Sequence, residues 1–282
     1  MGKCVACGEG AGGGRVGDMH PVLFMVMGFP VRAYGVMAAL GFLAAVGTWL
    51  WIGKKGGEFA PETATDLGVW LMLSGILGAR IAYVIANWGY YRAAPGEIVR
   101  IDQGGLIFYG GLILASAALV VFAWRRRIPL WKMADYAITG LVVGHALGRV
   151  GCFLNGCCYG RAATAHPAWG VVYPACSEPG RVFAGVPLYP VQLLEAAGLL
   201  AIWAVLLRAY PRRKRPGEVF ALYLLLYPPL RFELEYLRGD PRQGAWNVDA
   251  AQWISIGLWA CGWALMAFLP KRKPDVSGAR GA

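Results

Sequence analysis

The feature that most constrains this chain is a succession of long apolar stretches. A helix needs about 20 apolar residues to cross the hydrocarbon core of a bilayer. Seven such stretches occur, at roughly 31–53, 67–88, 105–124, 133–154, 190–207, 219–237 and 250–269. The composition agrees, with 57% apolar and only 15% charged residues, where soluble domains carry about 45–50% and about 25%. An ordinary soluble domain is therefore excluded, and so is disorder, which needs low hydrophobicity. The 12 Trp and 40 Gly fit interfacial belts and close helix packing. The expected fold class is all-α: a polytopic membrane protein with seven transmembrane helices.

The net charge of +11 is explained by position. Lys54 and Lys55 follow the first stretch. Arg125, Arg126, Arg127 and Lys132 lie between the third and fourth. Arg212, Arg213, Lys214 and Arg215 follow the fifth, and Lys271, Arg272 and Lys273 follow the seventh. Every basic cluster thus follows an odd-numbered span. The positive-inside rule puts these ends in the cytoplasm, with the N-terminus outside and the C-terminus cytoplasmic. Short basic runs at helix ends do not make a nucleic-acid surface, so no nucleic-acid partner is expected. Residues 1–18 read as a flexible Gly-rich tail carrying Cys4 and Cys7, with Met19 an alternative start. Residues 19–270 read as the membrane domain, with an outer loop at about 161–188 that Pro167, Pro174, Pro179 and Pro187 keep from forming a long helix. Residues 271–282 read as a cytoplasmic tail.

Ionisable residues at membrane depth are costly and point to function. The set is Arg80, Asp135, His145, Arg149, Glu195, Arg231, Glu233 and Glu235. In the expected topology most of them lie toward the outer leaflet. Arg231 and Glu235 are four apart on one helical face, as are His145 and Arg149. Buried ion pairs holding the bundle together are one reading. A phosphate site is the other, favoured by the convergence in depth and by arginine, whose fork grips phosphate geometry.

The densest segment runs Gly148-Arg149-Val150-Gly151-Cys152-Phe153-Leu154-Asn155-Gly156-Cys157-Cys158-Tyr159-Gly160-Arg161. It resembles the Gly-Arg-x-Gly-Asn-Phe-x-Asn-x-Glu signature of the prolipoprotein diacylglyceryl transferases. Further resemblances fall in order over roughly 19–270. They are His20-Pro21-Val22-Leu23-Phe24, Arg32-Ala33-Tyr34-Gly35, Gly78-Ala79-Arg80 with Tyr83, and Gly104-Gly105-Leu106-Ile107-Phe108-Tyr109-Gly110-Gly111. Trp169-Gly170-Val171-Val172-Tyr173-Pro174, Tyr189-Pro190-Val191-Gln192-Leu193-Leu194-Glu195, and Arg231-Phe232 with Glu235 and Arg238 complete the series. The signature's Asn and Glu are Cys152 and Cys157 here, and the His of the Gly-Gly motif is Tyr109.

The resemblance implies a bacterial cytoplasmic (inner) membrane enzyme with its active site toward the outer leaflet. Its partners would be phosphatidylglycerol and prolipoprotein signal peptides, with no cofactor and no metal. The diacylglyceryl group would pass to the lipobox cysteine as a thioether, releasing glycerol phosphate. Arg149 and Arg231 would neutralise the leaving phosphate, with Glu235 orienting Arg231. His145, Tyr109 and Glu235 are the candidates for taking the thiol proton, beside a mechanism with no dedicated base. Tyr34, Arg80, Asn155, Gly160, Gln192 and Glu195 are the expected substrate-binding positions. Two other functions stand beside this one: a phospholipid-dependent transferase with a non-lipoprotein acceptor, and an anionic-solute transporter. Against the transporter stand the missing internal repeat and polar groups away from the midplane. The cysteines read first as packing residues or a structural disulfide. A zinc site from Cys4, Cys7, Cys157 and Cys158 and a covalent relay through Cys152 or Cys157 are further readings.

Overall fold

The computed structural model describes residues 22–26, 29–100, 104–175, 177–239 and 250–269. The expected tails at 1–18 and 271–282, with Cys4, Cys7 and the Lys271–Lys273 cluster, lie outside the described residues, as do Met19, the His20-Pro21 pair and Cys176. A short antiparallel hairpin, β1 (Val22–Val26) and β2 (Phe29–Arg32), opens the described chain. This is a small departure from an all-helical expectation.

Helices then dominate: α1 (Ala33–Gly56), α2 (Pro61–Ala86), the short α3 (Trp88–Ala93), α4 (Phe108–Arg125) and α5 (Leu130–Leu154). After them come the short α6 (Glu178–Val182), α7 (Val191–Ala209), α8 (Glu218–Glu235) and α9 (Ala250–Phe268). Among the described residues, six helices are long and apolar enough to cross a membrane: α1, α2, α4, α5, α7 and α9. The remaining expected span, the sixth at roughly 219–237, corresponds to α8. That helix carries Glu218, Arg231, Glu233 and Glu235 within 18 residues, so it is not apolar enough to join the six. It also holds Pro228 and Pro229 in its interior, where each removes a backbone donor. Helix α2 starts earlier than its apolar stretch, because Pro61 sits in the first turn with Glu62 beside it, both favourable at a helix N-terminus.

The described residues fall into two compact units, one of Val46–Ala137 and one of the residues up to Ala45 and from Ile138 onward. In the Val46–Ala137 unit, α2 and α4 cross with their backbones touching. A methyl added to Gly78 would sit 2.4 Å from the Gly110 carbonyl oxygen, and one added to Gly110 would sit 2.3 Å from Ala82 Cβ. The Gly110-Gly111 pair of the sequence motif is therefore a packing seam, as small residues are in membrane helices. Trp70 Nε1 donates to the Ala118 carbonyl at 2.8 Å across the same seam. Elsewhere in this unit Tyr136 donates to the Trp49 carbonyl at 2.7 Å, and Trp49 Nε1 donates to the Ala137 carbonyl at 3.2 Å. Arg126 pairs with Asp66.

In the other unit, α1 meets α5 where Gly41 faces Gly144, with 3.0 Å left for a methyl on Gly41. Gly198 of α7 receives Leu230 of α8, and Gly262 of α9 receives Leu224 of α8. The expected outer loop is not structureless. Isolated bridges join Gly160 to Arg238, and join Ala162 and Val171 to Leu188. Tyr159, Tyr173 and Leu188 form a small core, with Phe153, Phe183 and Val186 packed on it. Ser177 caps α6 by accepting from Gly180 N at 3.1 Å.

The glycine seam gives a direct test. Gly78→Leu forces α2 and α4 apart and is expected to lower the thermal midpoint of the detergent-purified protein sharply. Gly75→Ala, one turn away with nothing within 4 Å of the added methyl, is expected to leave it unchanged or slightly raised. Equal midpoints for both variants would contradict a packing role for Gly78.

Candidate functional site

The polar cluster of the larger unit is built on three helices. Helix α5 carries His145 and Arg149 one turn apart, α7 carries Glu195 in its second turn, and α8 carries Tyr227, Arg231 and Glu235. Glu195 is fully buried and links them. Its Oε2 lies 3.0 Å from Arg149 Nε, its Oε1 accepts from the Tyr227 hydroxyl at 3.0 Å, and His145 Nε2 stands 3.9 Å from Oε1. The His145 and Tyr227 rings meet edge to face at 5.4 Å, and Tyr223 stacks on Tyr227 at 5.4 Å. On α8, Arg231 Nη1 lies 2.6 Å from Glu235 Oε2. His145 and Tyr227 both lie within charge range of Arg149 and of Arg231, which makes the two ion pairs one cluster.

Neither ion pair is aligned as a hydrogen bond at the atoms in closest approach. Each is a charge pair that sets the angle of a guanidinium. For Arg149, only Nε meets a carboxylate, and among the described residues its two Nη groups meet no protein acceptor. An arginine held from behind with its fork presented forward is suited to a phosphate or carboxylate. Glu195 is expected from the sequence to touch substrate. In the structure it is fully buried and pairs with Arg149 and Tyr227. Removing such a carboxylate leaves a buried unpaired charge, a loss of about 3–5 kcal/mol.

The signature segment turns sharply after α5. Asn155 N donates to Gly151 O, Gly156 N to Phe153 O and Cys157 N to Cys152 O, closing the helix end. Gly156 has φ of +68°, and Cys158 has φ of +60° in the left-handed region that non-glycine residues avoid at roughly 1–2 kcal/mol. The double turn brings the sulphurs of Cys152, Cys157 and Cys158 within 4.8 Å of one another. All three thiols are free and half-buried. Hydrogen bonds from Cys152 and then Cys157, with help from the Arg238 guanidinium and against burial, hold the Cys158 thiol well below the ordinary thiol range. The expected four-cysteine set with Cys4 and Cys7 falls partly outside the described residues. Cys152 stands instead in the cluster that the structure assembles.

The expected substrate positions divide by what they touch. Asn155 is exposed at the turn, within hydrogen-bond reach of the Cys157 side chain. Tyr34 is half-exposed in the first turn of α1, packs against Gly151 and lies within charge range of Arg149 and the three cysteines. Gln192 is buried, and its Nε2 donates to the Cys157 carbonyl at 2.8 Å and to the Tyr173 hydroxyl at 3.2 Å. Burial pushes the Tyr173 hydroxyl up to about 12, so it stays protonated in that pairing. Gly160 is buried where a methyl would meet the Tyr189 carbonyl oxygen at 2.3 Å. Gln192 and Gly160 are thus both buried in the support of the turn.

The smaller unit holds the other two expected positions. Tyr109 is exposed at the start of α4, its ring edge to face with Phe108 at 5.9 Å. Arg80 is buried, and each of its five N–H donors has a backbone carbonyl. Nε donates to Ile98 at 2.8 Å, Nη1 to Gly104 at 3.0 Å and Gly105 at 3.1 Å, and Nη2 to Glu97 at 2.7 Å and Arg100 at 2.9 Å. Five donors are all a guanidinium has. Arg80, an expected substrate-binding position, thus has every donor directed at the backbone of Glu97–Gly105.

Comparison with known proteins places these features in a family. The model of the prolipoprotein diacylglyceryl transferase family matches residues 21–268. The chain is similar to the phosphatidylglycerol–prolipoprotein diacylglyceryl transferase 2 of Clostridium perfringens, 32% identical over 238 residues that cover 84% of this chain and 91% of that protein. It is 35% identical over 248 residues to the phosphatidylglycerol–prolipoprotein diacylglyceryl transferase of Bacillus cereus, covering 87% and 90%. With the enzyme of that name from a Nostoc species it shares 32% identity over 265 residues, covering 91% and 92%.

The assignment of Arg80 is open to test. Arg80→Lys keeps the charge but replaces five fixed donors with three on one ammonium. The expected result is a lower thermal midpoint and faster protease cleavage within Pro95–Arg100, read by limited proteolysis and mass spectrometry. An unchanged cleavage pattern would contradict it.

Proposed function

This chain belongs to the prolipoprotein diacylglyceryl transferase family, and we infer from that membership and the geometry around Arg149 that it is a phosphatidylglycerol–prolipoprotein diacylglyceryl transferase. The sulphur of the acceptor cysteine attacks the glycerol carbon that bears the phosphate oxygen. A carbon–sulphur bond forms, the carbon–oxygen bond breaks, and the oxygen leaves with the electron pair as glycerol phosphate. The thiol proton goes to a base or to water. Two demands follow: charge must be neutralised on the leaving phosphate, and the thiol must ionise, although a free cysteine has a pKa of about 8.5.

The observation that carries this reading is the orientation of Arg149, gripped at Nε by Glu195 with both Nη groups without a protein acceptor among the described residues. Preorganised donors aimed at developing charge act without reorganisation and supply the larger part of such catalysis. In this reading Arg231, angled by Glu235, is the second phosphate ligand, and Asn155 and Tyr34 bind the headgroup. His145 and Glu235 remain proton acceptors by position, and Tyr109 by its place in the motif. The acceptor is the lipobox cysteine of a prolipoprotein signal peptide.

The same reading takes α8 as a seventh span, with its charged residues turned to the other helices. The basic clusters then all lie on the cytoplasmic side, with the N-terminus outside and the C-terminus inside. It places the enzyme in the bacterial inner membrane, with Arg149 toward the outer leaflet, where a secreted substrate arrives.

The test is transfer in vitro. Purified protein with phosphatidylglycerol and a lipobox peptide is expected to give thioether product and glycerol phosphate, both read by mass spectrometry. Arg149→Ala is expected to abolish transfer while still inserting. Arg149→Lys is expected to lose about 10²-fold in kcat, the usual loss for one transition-state donor. Normal turnover by Arg149→Ala would overturn the phosphate role.

A further inference from the structure

The family reading leaves one demand weakly served, the removal of the acceptor's thiol proton. It also leaves one feature unused, the cluster of Cys152, Cys157 and Cys158. We propose that these three cysteines form a site for a zinc-type d10 cation, with a fourth position open to the thiol of the acceptor peptide. The proposal rests on the transferase reading given above.

In a tetrahedral zinc–thiolate site the zinc–sulphur distance is about 2.3 Å, which puts ligand sulphurs about 3.8 Å apart. The three sulphurs here already lie within 4.8 Å of one another. Side chains of adjacent residues ordinarily diverge. Cys157 and Cys158 converge because Gly156 and Cys158 both take left-handed backbone conformations. The turn is held from outside as well, since buried Gln192 donates to the Cys157 carbonyl at 2.8 Å. A disulfide would use two of these sulphurs and leave the third without a purpose, whereas a cation uses all three.

Charge also balances. Three thiolates and one divalent cation carry a net charge of −1, and the Arg238 guanidinium lies within hydrogen-bond reach of Cys158. Three protein ligands and one open position is the arrangement of catalytic rather than structural zinc. A thiol that coordinates zinc is deprotonated outright. Binding the acceptor would release its proton to water and hold its sulphur as a thiolate. Cys152 stands one turn beyond Arg149 on α5, so this thiolate would lie close to the group that receives the phosphate. That sulphur then attacks the glycerol carbon, glycerol phosphate leaves with the electron pair of the broken carbon–oxygen bond, and the neutral thioether, a weaker ligand, departs. No oxidant or reductant is needed.

The experiment is metal binding by full-length protein purified under reducing conditions, with cobalt(II) as the spectroscopic probe. About one zinc per chain is expected, exchangeable for cobalt with thiolate-to-metal absorption. Cys152→Ser, Cys157→Ser and Cys158→Ser should lose it, while Cys261→Ser and the double variant Cys4→Ser, Cys7→Ser keep it. A lipobox peptide should change the cobalt spectrum, and the same peptide with Ser for its Cys should not. Transfer by Cys152→Ser should fall about tenfold or more at pH 7 and recover toward pH 9, as the free acceptor thiol ionises. A merely structural role would show no such recovery. Wild type that transfers lipid without taking up metal keeps its function and overturns the site, as does a disulfide among the three with no metal uptake after reduction. A cobalt spectrum indifferent to the cysteine peptide overturns the open position. Protein that binds cobalt and peptide thiol but makes no thioether overturns the transferase reading and leaves the site standing.

Discussion

A guanidinium at membrane depth must have a counter-charge, and the Glu195 carboxylate supplies it for Arg149. Desolvation makes an unpaired charge there far costlier than the worth of any one hydrogen bond. The rest of the larger unit is arranged around this one fully buried carboxylate. Arg149 reaches it from α5 and the Tyr227 hydroxyl from α8, so one side chain of α7 joins three helices. Helix α8 needs its own pair, Arg231 with Glu235, to bring its charges into the same region. The ion pairs thus do two things. They permit polar side chains at depth, and they fix the direction in which each guanidinium points.

The close helix crossings serve the same constraint from the apolar side. Where Gly41 faces Gly144 the backbones approach within van der Waals range, and Gly198 gives room to the Leu230 side chain. In a bilayer, packing and interhelical polar interactions hold helices together, since lipid is as apolar as the side chains. Small residues give the approach, and the buried polar groups give it a unique register. The segment after α5 adds a third element. Its Tyr159–Tyr173–Leu188 core lets Gln192 hold the Cys157 turn, so the turn is supported by packed structure rather than left to a mobile loop.

Much of this is legible in the sequence. Long apolar runs announce spanning helices, since bilayer thickness sets their length. The Arg231–Glu235 pair is legible because a four-residue spacing is a fixed distance on a helix. Pairing of Arg149 with Glu195 is not, because the partners sit on different helices and only packing brings them together. The convergence of Cys152 with Cys157 and Cys158 is hidden for a related reason. It depends on two left-handed residues, and only one of them is a glycine that signals its conformation. Helix α8 is the case in which the length rule and the charge rule conflict. Its two prolines and four charges belong to a helix whose polar side is in use.

Arginine shows most plainly why residue type and depth are not enough. Arg80, Arg149 and Arg231 look alike in the sequence, each a cation in an apolar stretch beside a family motif. They are separated by the identity of their acceptors. Arg80 spends all five donors on backbone carbonyls of Glu97–Gly105, so its charge closes a connection between helices. Carbonyls come from irregular backbone and leave no mark in the sequence. Arg149 meets a carboxylate at Nε and Arg231 at Nη1, and a single ionic pairing sets direction without engaging every donor of the guanidinium. A guanidinium becomes available to an anionic ligand when its own protein satisfies its charge but not its donors. The number of donors already spoken for, more than burial or charge, is what separates Arg80 from Arg149 and Arg231.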